Sequence, residues 1–263
     1  MHIFTGTRRT SRPQCPPDQS ATRSDTSANS SPAEAAHFQA WAPHWWDLQG
    51  PCRLLHQLNP VRLQFISDRI LLPQKKILDI GCGGGILSQS LAERGAKVVG
   101  IDIVPELIAV ATTQAINTQQ DHHLQYTCST AEDYAQQYPG TFDVITCMEL
   151  LEHVPNPASL IHSCLSLLKP GGHLFVSTIN RHPKAYVVAI LAAEYFLKAL
   201  PEHTHHYAQF IRPSELAHWL GNSPYSIQTL KGISYNPLTR AVKLSADVSV
   251  NYIAHICTSE ARS

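Results

Sequence analysis

Two carboxylates and an imidazole stand close together in "MELLEHV", where Glu149, Glu152 and His153 follow the apolar run "FDVITC". If a helix begins here, they occupy positions i, i+3 and i+4 and gather on one face. Two chemistries suit that set. His153 could act as a general base and take a hydroxyl proton, because the intrinsic pKa of imidazole is near neutral. Alternatively the three side chains could hold a divalent ion, since oxygen-rich ligands with one imidazole suit Mg2+, Mn2+ or Zn2+. A bound ion would lower the pKa of a neighbouring hydroxyl. The bland alternative is a polar helix start, where acids are favoured by the helix dipole.

A second constellation lies upstream, in "KKILDIGCGGGILSQSLAERGAKVVGID" from Lys75 to Asp102. Gly81, Gly83, Gly84 and Gly85 fall within five positions, between an apolar run and a helical pattern. A loop there must turn with positive φ and let a ligand approach the backbone without a Cβ in the way. A dinucleotide fingerprint would read G-x-G-x-x-G and cradle a pyrophosphate. This loop reads G-x-G-x-G, and Asp79 precedes Gly81 by two positions. A negative charge there suits a cationic ligand better than a pyrophosphate. Asp102, at the end of the next strand, would take a ribose diol in either case.

The elements that must position these residues follow from periodicity. "KKILDIG", "AKVVGID", "LQYTCS", "FDVITCMELL" and "HLFVSTI" read as strands. Between them "GILSQSLAERG", "PELIAVATTQAIN" and "NPASLIHSCLSLLKPGG" read as helices, the first closed by Gly95. Leu58, Val61, Leu63, Phe65, Ile66 and Ile70 fit a helix that starts at Pro60, a residue suited to a first turn. "YSIQTLKGISYNP" and "VSVNYIAHICTS" supply late strands as a terminal pair. Strand and helix alternate at βαβ spacing, so the fold class is α/β with a doubly wound, mostly parallel sheet.

"LDIGCGGG", "GIDI", "FDVITCMELLEHV" and "LKPGG" together resemble the class I S-adenosylmethionine-dependent methyltransferases. More narrowly, "HWWDLQGPCRLLHQLNPVRL", "CMELLEHVPNP", "STINR", "THHYAQFIRPSEL", "GISYNP" and "VNYIAH" resemble the O-methyltransferases of ubiquinone biosynthesis, over about 37–255. The resemblance implies a seven-stranded Rossmann-like sheet, N-terminal helices and a lid insertion after the fifth strand. It implies that S-adenosylmethionine is met by Arg62 at its methionine carboxylate, by Gly81, by Asp102 at the ribose and by Met148. Asp79 and Gly83 belong to the same loop, and Glu132 in "STAED" falls where such folds meet adenine. Metal dependence, through Mg2+ or Zn2+ at Glu149, Glu152 and His153, is implied for at least some members. Core packing is the plain alternative for Met148.

The expected substrate is a polyprenylated catechol or hydroquinol, so the chain must meet a lipid surface somewhere. Residues 185–200 are apolar almost all round but interrupted by Glu194 and Lys198, and are too short to span a bilayer. They fit either a helix packed on the sheet edge or an interfacial lid within an insertion at about 181–212. Arg181, Lys184 and Lys198 could then face anionic headgroups. The tryptophans Trp41, Trp45 and Trp46 fit packing of the N-terminal helix or a cap over the site.

The 263-residue chain has a formal net charge of zero, which argues against nucleic acid as a partner. Seven cysteines without a CxxC pair fit free thiols in a reducing compartment. The Ser/Thr/Pro/Arg-rich segment 1–36 reads as disordered. Its arginines also resemble a transit peptide, although Pro13, Pro16 and Pro17 interrupt any amphipathic helix. The catalytic domain is expected over 37–257, with a tail at 258–263. The expected location is cytoplasmic and peripheral at the inner membrane, or mitochondrial on the matrix side if the extension is a transit peptide. A ubiquinone-biosynthesis complex is the candidate protein partner. A nucleotide-dependent oxidoreductase, a non-catalytic assembly subunit and a methyltransferase for another phenol are the rival readings.

Overall fold

The computed structural model describes residues 29–186, 207–236 and 239–258. The predicted interfacial segment, with Glu194 and Lys198, lies mostly outside the described residues.

Five parallel strands form one half of the sheet: β1 (Lys76–Ile80), β2 (Lys97–Asp102), β3 (Leu124–Cys128), β4 (Phe142–Met148) and β5 (Leu168–Ile179). β6 (Tyr225–Tyr235), β7 (Val242–Ser245) and β8 (Asn251–Thr258) add an antiparallel half. The order is β3-β2-β1-β4-β5-β8-β6-β7. The order reverses beside β1, so the carboxyl ends of β1 and β4 flank the crevice where such sheets bind ligands. The expected doubly wound, mostly parallel architecture is present. The expected seven strands are eight, because β7, too short to read in the sequence, pairs with the edge of β6.

Alternation within strands sorts the core into two layers. Leu78, Ile80, Ile145, Cys147, Leu174, Val176, Tyr252 and Ala254 face α5 (Ala131–Gln137), α6 (Pro157–Leu167) and α7 (Pro213–Leu220). Ile77, Val144, Phe175 and Ile253 face α2 (Arg53–Ser67) and α3 (Ile86–Glu93). α4 (Pro105–Asn117) follows β2.

Two boundaries differ from expectation. α2 begins at Arg53 and carries Pro60 in its interior. Proline removes one helical hydrogen bond there. The buried face of Asn59, Arg62, Leu63, Phe65 and Ile66 holds the helix through it. α1 (Pro32–Trp41) starts inside the segment read as disordered, with the Ser31 hydroxyl accepting from the Glu34 N–H. Its Phe38 and Trp41 pack on Ala42, Trp45, Cys52 and Ile86, which supplies the apolar contact that the composition of 1–36 conceals. The described cysteines are free thiols, as expected.

Candidate active site

β1 passes into α3 through Gly81–Gly85, with φ of +69° at Gly81, +54° at Gly83 and +90° at Gly85. These are left-handed conformations in which a Cβ is strained. The approach of other groups is equally restrictive. A Cβ on Gly83 would stand 2.3 Å from Trp45 Cζ2, and one on Gly81 2.8 Å from Leu150 Cδ2. Trp45 is thus packed on the loop itself, while Trp46 Nε1 donates to the Gly84 carbonyl at 3.0 Å. The tryptophans fasten the N-terminal helices to the glycine loop, which meets the packing expectation.

Asp79 lies beneath the loop, 3 % exposed. It accepts from Ser88 Oγ at 2.5 Å and Thr146 Oγ1 at 2.7 Å. Burial pushes its pKa up to about 6, against those hydrogen bonds and the nearby charge of Arg62. The carboxylate therefore ties α3 to β4 and contributes a desolvated charge to the site. Asp102 accepts from the N–H groups of Gly83 and Val104, each at 2.9 Å. Its pKa is also raised, by burial first. It sits at the end of β2, beside the glycine loop.

Arg62 projects from α2 to the end of β4, and its side chain is 5 % exposed. Its Nη2 lies 2.5 Å from Glu149 Oε2. Its Nε is buried and finds no hydrogen-bond partner among the described residues. Glu149 itself has φ +47°. Such a conformation is uncommon outside glycine and collects at functional sites. The kink lets the Glu149 N–H donate to the Ser177 carbonyl at 3.0 Å while its Oε1 accepts from Ser177 Oγ at 2.7 Å. Met148 is buried and takes the same hydroxyl on its sulfur at 3.2 Å.

The expected shared face for Glu149, Glu152 and His153 does not form. The chain makes only a 3-10 turn at Leu151–His153, with Glu149 outside it. Glu149 is held by Ser177, whereas Glu152 accepts from Thr178 Oγ1 at 2.6 Å. Adjacent residues of one strand point to opposite sheet faces, so the two carboxylates are drawn apart. Glu152 is buried and its pKa is raised by desolvation. His153 Nδ1 meets Glu34 Oε2 of α1 at 3.0 Å, and its ring packs edge-on to Phe38. Burial acts to lower the His153 pKa, but the Glu34 contact and the charges of Glu152, Glu34 and Glu149 outweigh it and raise it.

Glu132 is turned to α6 rather than toward the loop: its Oε1 accepts from Asn29 Nδ2 at 2.9 Å and Ser159 Oγ at 3.1 Å. Arg181 and Lys184 pair with Glu215 and Asp247 respectively. Sequence reasoning missed Ser177, Thr178, Glu34, Ser88 and Thr146. Ser177 and Thr178 stand side by side in "VSTI", at the carboxyl end of a core strand, which is the one signal that could have found them.

Residues 38–229 match a methyltransferase domain family. Over 224 residues the chain is 50% identical to the ubiquinone biosynthesis O-methyltransferase of Saccharophagus degradans, covering 85% of this chain and 94% of that protein. The chain belongs to this O-methyltransferase family. The relative from Azotobacter vinelandii is 51% identical over 221 residues, covering 84% of this chain and 94% of its own length. In solved structures, the magnesium protoporphyrin IX methyltransferase of Synechocystis, with bound S-adenosylhomocysteine, superposes with a TM-score of 0.62 at 20% identity. That match covers 85% of this chain and 94% of the other, and it supports the class I methyltransferase fold. In this methyltransferase, Arg62, Asp79, Gly81, Gly83 and Asp102 line one crevice at the carboxyl ends of the parallel strands, where such sheets bind ligands. An acid-lined crevice with one buried guanidinium suits S-adenosylmethionine, a sulfonium that also carries a carboxylate.

Proposed function

We propose that this methyltransferase moves a methyl group from S-adenosylmethionine to a hydroxyl of a polyprenylated catechol or hydroquinol in ubiquinone biosynthesis, releasing S-adenosylhomocysteine. The observation that carries the reading is Glu149, bent into a left-handed conformation at the end of β4 between Arg62 and Ser177. The buried, incompletely bonded guanidinium of Arg62 fits the methionine carboxylate, which it can grip through paired hydrogen bonds. Engagement of that carboxylate would loosen the Arg62–Glu149 pair and free Glu149 for the hydroxyl substrate. The sulfonium supplies a reactive methyl, so alignment provides much of the rate.

Glu149, Glu152 and His153 offer the donor chemistry that Mg2+ or Zn2+ takes, and their charges act on one another. Their side chains do not converge in this structure, so holding an ion requires Glu149 and Glu152 to leave Ser177 and Thr178. When bound, the ion would acidify a catechol hydroxyl. The Glu34–His153 contact favours a second reading, in which His153 takes the phenolic proton and Glu34 holds the resulting imidazolium.

The isoprenoid tail of such a substrate supports a peripheral position at the membrane surface, with residues 181–212 admitting the substrate. No helix among the described residues is long and apolar enough to cross a membrane. The inner membrane, with a ubiquinone-biosynthesis complex as partner, is the proposed setting. If the N-terminal extension 1–36 serves as a transit peptide, that membrane is mitochondrial.

The test is methyl transfer from labelled S-adenosylmethionine to a short-tailed catechol analogue, with and without chelator, in wild type and Glu149→Ala. Transfer abolished by chelator and restored by Mg2+ or Zn2+ supports the ion-assisted reading. Transfer indifferent to chelator assigns the proton to His153. No transfer to any catechol, with S-adenosylhomocysteine still bound, rejects the substrate.

A further inference from the structure

We infer that His173, His255 and Cys257 form a second metal site, taking a borderline-soft divalent cation such as Zn2+ on the α2 face of the sheet, apart from the methyl-transfer crevice. Strand pairing assembles it. β5 and β8 run antiparallel with Phe175 opposite His255 and Leu174 opposite Ile256. One step further along, His173 comes opposite Cys257. Alternation then points His173, His255 and Cys257 to the same face as Phe175 and Ile253.

Their donor atoms are already gathered. One ring nitrogen of each histidine and the Cys257 sulfur lie within 4.8 Å of one another, the only such trio of potential ligands among the described residues. His173 Nδ1 and His255 Nε2 are 3.0 Å apart. Tetrahedral zinc with bonds of about 2.0–2.1 Å to nitrogen and about 2.3 Å to sulfur needs ligand atoms roughly 3.3–3.6 Å apart. The two histidine nitrogens already stand close to that spacing. A nitrogen and thiolate set selects zinc over Mg2+ or Ca2+, which prefer oxygen.

The surroundings prepare the ligands. His255 stacks on Phe175, ring centroids 4.7 Å apart and planes 16° from parallel, which fixes its ring. His255 and Cys257 are buried, while His173 is half-exposed and gives an ion its entry and water a fourth position. Burial and the charges of His173 and Arg69 hold the pKa of His255 down to about 4; burial and Lys75 lower that of His173. Both rings are therefore neutral donors at pH 7. Arg69 and Lys75 also oppose a divalent ion. Ionisation of Cys257 on binding offsets one charge, and Arg69 is already engaged by its bond to the Phe65 carbonyl and its place over the Phe65 ring. The site clamps β5 to β8, where the sheet passes from parallel to antiparallel, so its role is to hold the carboxyl-terminal strand.

The test uses the full chain, stripped of metal and titrated with Co2+ as a spectroscopic probe for zinc. One equivalent is expected to give a thiolate-to-cobalt charge-transfer band that Zn2+ displaces. Cys257→Ser should abolish the band, and His255→Gln should weaken binding by more than the roughly 10–100-fold of an outer-shell loss. Glu149→Ala should leave the band in place, since that site holds no thiolate. No thiolate band in the wild type overturns the inference, and needs no variant. A band that persists in Cys257→Ser overturns it too. Chelators strip both sites, so chelator sensitivity of methyl transfer is read in Cys257→Ser as well. Sensitivity retained there belongs to the crevice.

Discussion

One sheet carries two buried polar clusters, and burial acts on them with opposite sign. At the carboxyl ends of the strands it raises the pKa of Asp79, Asp102 and Glu152, because a carboxylate is charged when deprotonated. In the amino-terminal half of β5 and across β8 it lowers the pKa of His173 and His255, because an imidazole is charged when protonated. The acids are satisfied by hydroxyls and backbone N–H groups rather than by cations. Arg62 is the buried guanidinium among them, and it is shared with Glu149. The first cluster thus holds negative charge that a cationic ligand would offset. The second holds neutral donors that a Lewis acid would engage. Burial thus suits the first cluster to a cation and the second to a Lewis acid.

The largest effect should come from Asp79. Its pKa is raised from 3.8 to about 6, so the folded state binds the proton more tightly than the unfolded state. Its contribution to stability is present at low pH and is lost as pH rises from about 4 to about 6. The linkage is worth about 3 kcal/mol. Asp79→Asn removes that component, so relative to wild type the variant should gain about 3 kcal/mol between pH 4 and pH 7. Urea unfolding across that range measures it. A difference between the two proteins that stays constant with pH would dissolve the contrast between the clusters.

How much of this was legible in the sequence follows from the range of each interaction. The glycine loop could be read because positive φ and close approach are local demands, and Gly81, Gly83 and Gly85 meet them within five residues. The parallel strands could be read because each is a short apolar run bounded by turns. Pro60 was misread because its cost is offset by Leu63, Phe65 and Ile66 against the sheet, a tertiary gain that local propensity does not contain. Glu149, Glu152 and His153 were found as residues, but not as an arrangement. Their directions are set by Ser177, Thr178 and Glu34, 28, 26 and 119 positions away. The histidine pair spans 82 positions and exists only through the β5–β8 register.

Arg62 sharpens the comparison from the cationic side. Arg62→Ala should weaken binding of S-adenosylhomocysteine roughly 10–100-fold, the value of about 1.5–3 kcal/mol for hydrogen bonds to a charged group. Calorimetric titration reads it directly. Arg62 also acts to lower the Asp79 pKa. Its removal should therefore move the Asp79 titration further upward, so that stability is lost at higher pH than in wild type. Unchanged affinity would show that the guanidinium serves only the Glu149 ion pair.

His255 works in the opposite direction, with its partner His173 half open to water. The folded protein binds its proton less readily than the unfolded chain, which titrates near 6.5. Stability should therefore fall as pH drops from about 6.5 toward about 4, the reverse of the Asp79 trend over an overlapping range. His255→Gln, which carries no titratable ring, should flatten that acid limb and leave the Asp79 slope intact. In the Asp79→Asn background, where the opposing component is gone, the acid loss should stand out more steeply. Zinc gives the same group a second handle, since an occupied imidazole cannot protonate until the ion leaves. Saturating Zn2+ should shift the acid limb of unfolding to lower pH in wild type and not in His255→Gln. A limb that moves in neither protein would mean that the pair is a neutral packing contact and nothing more.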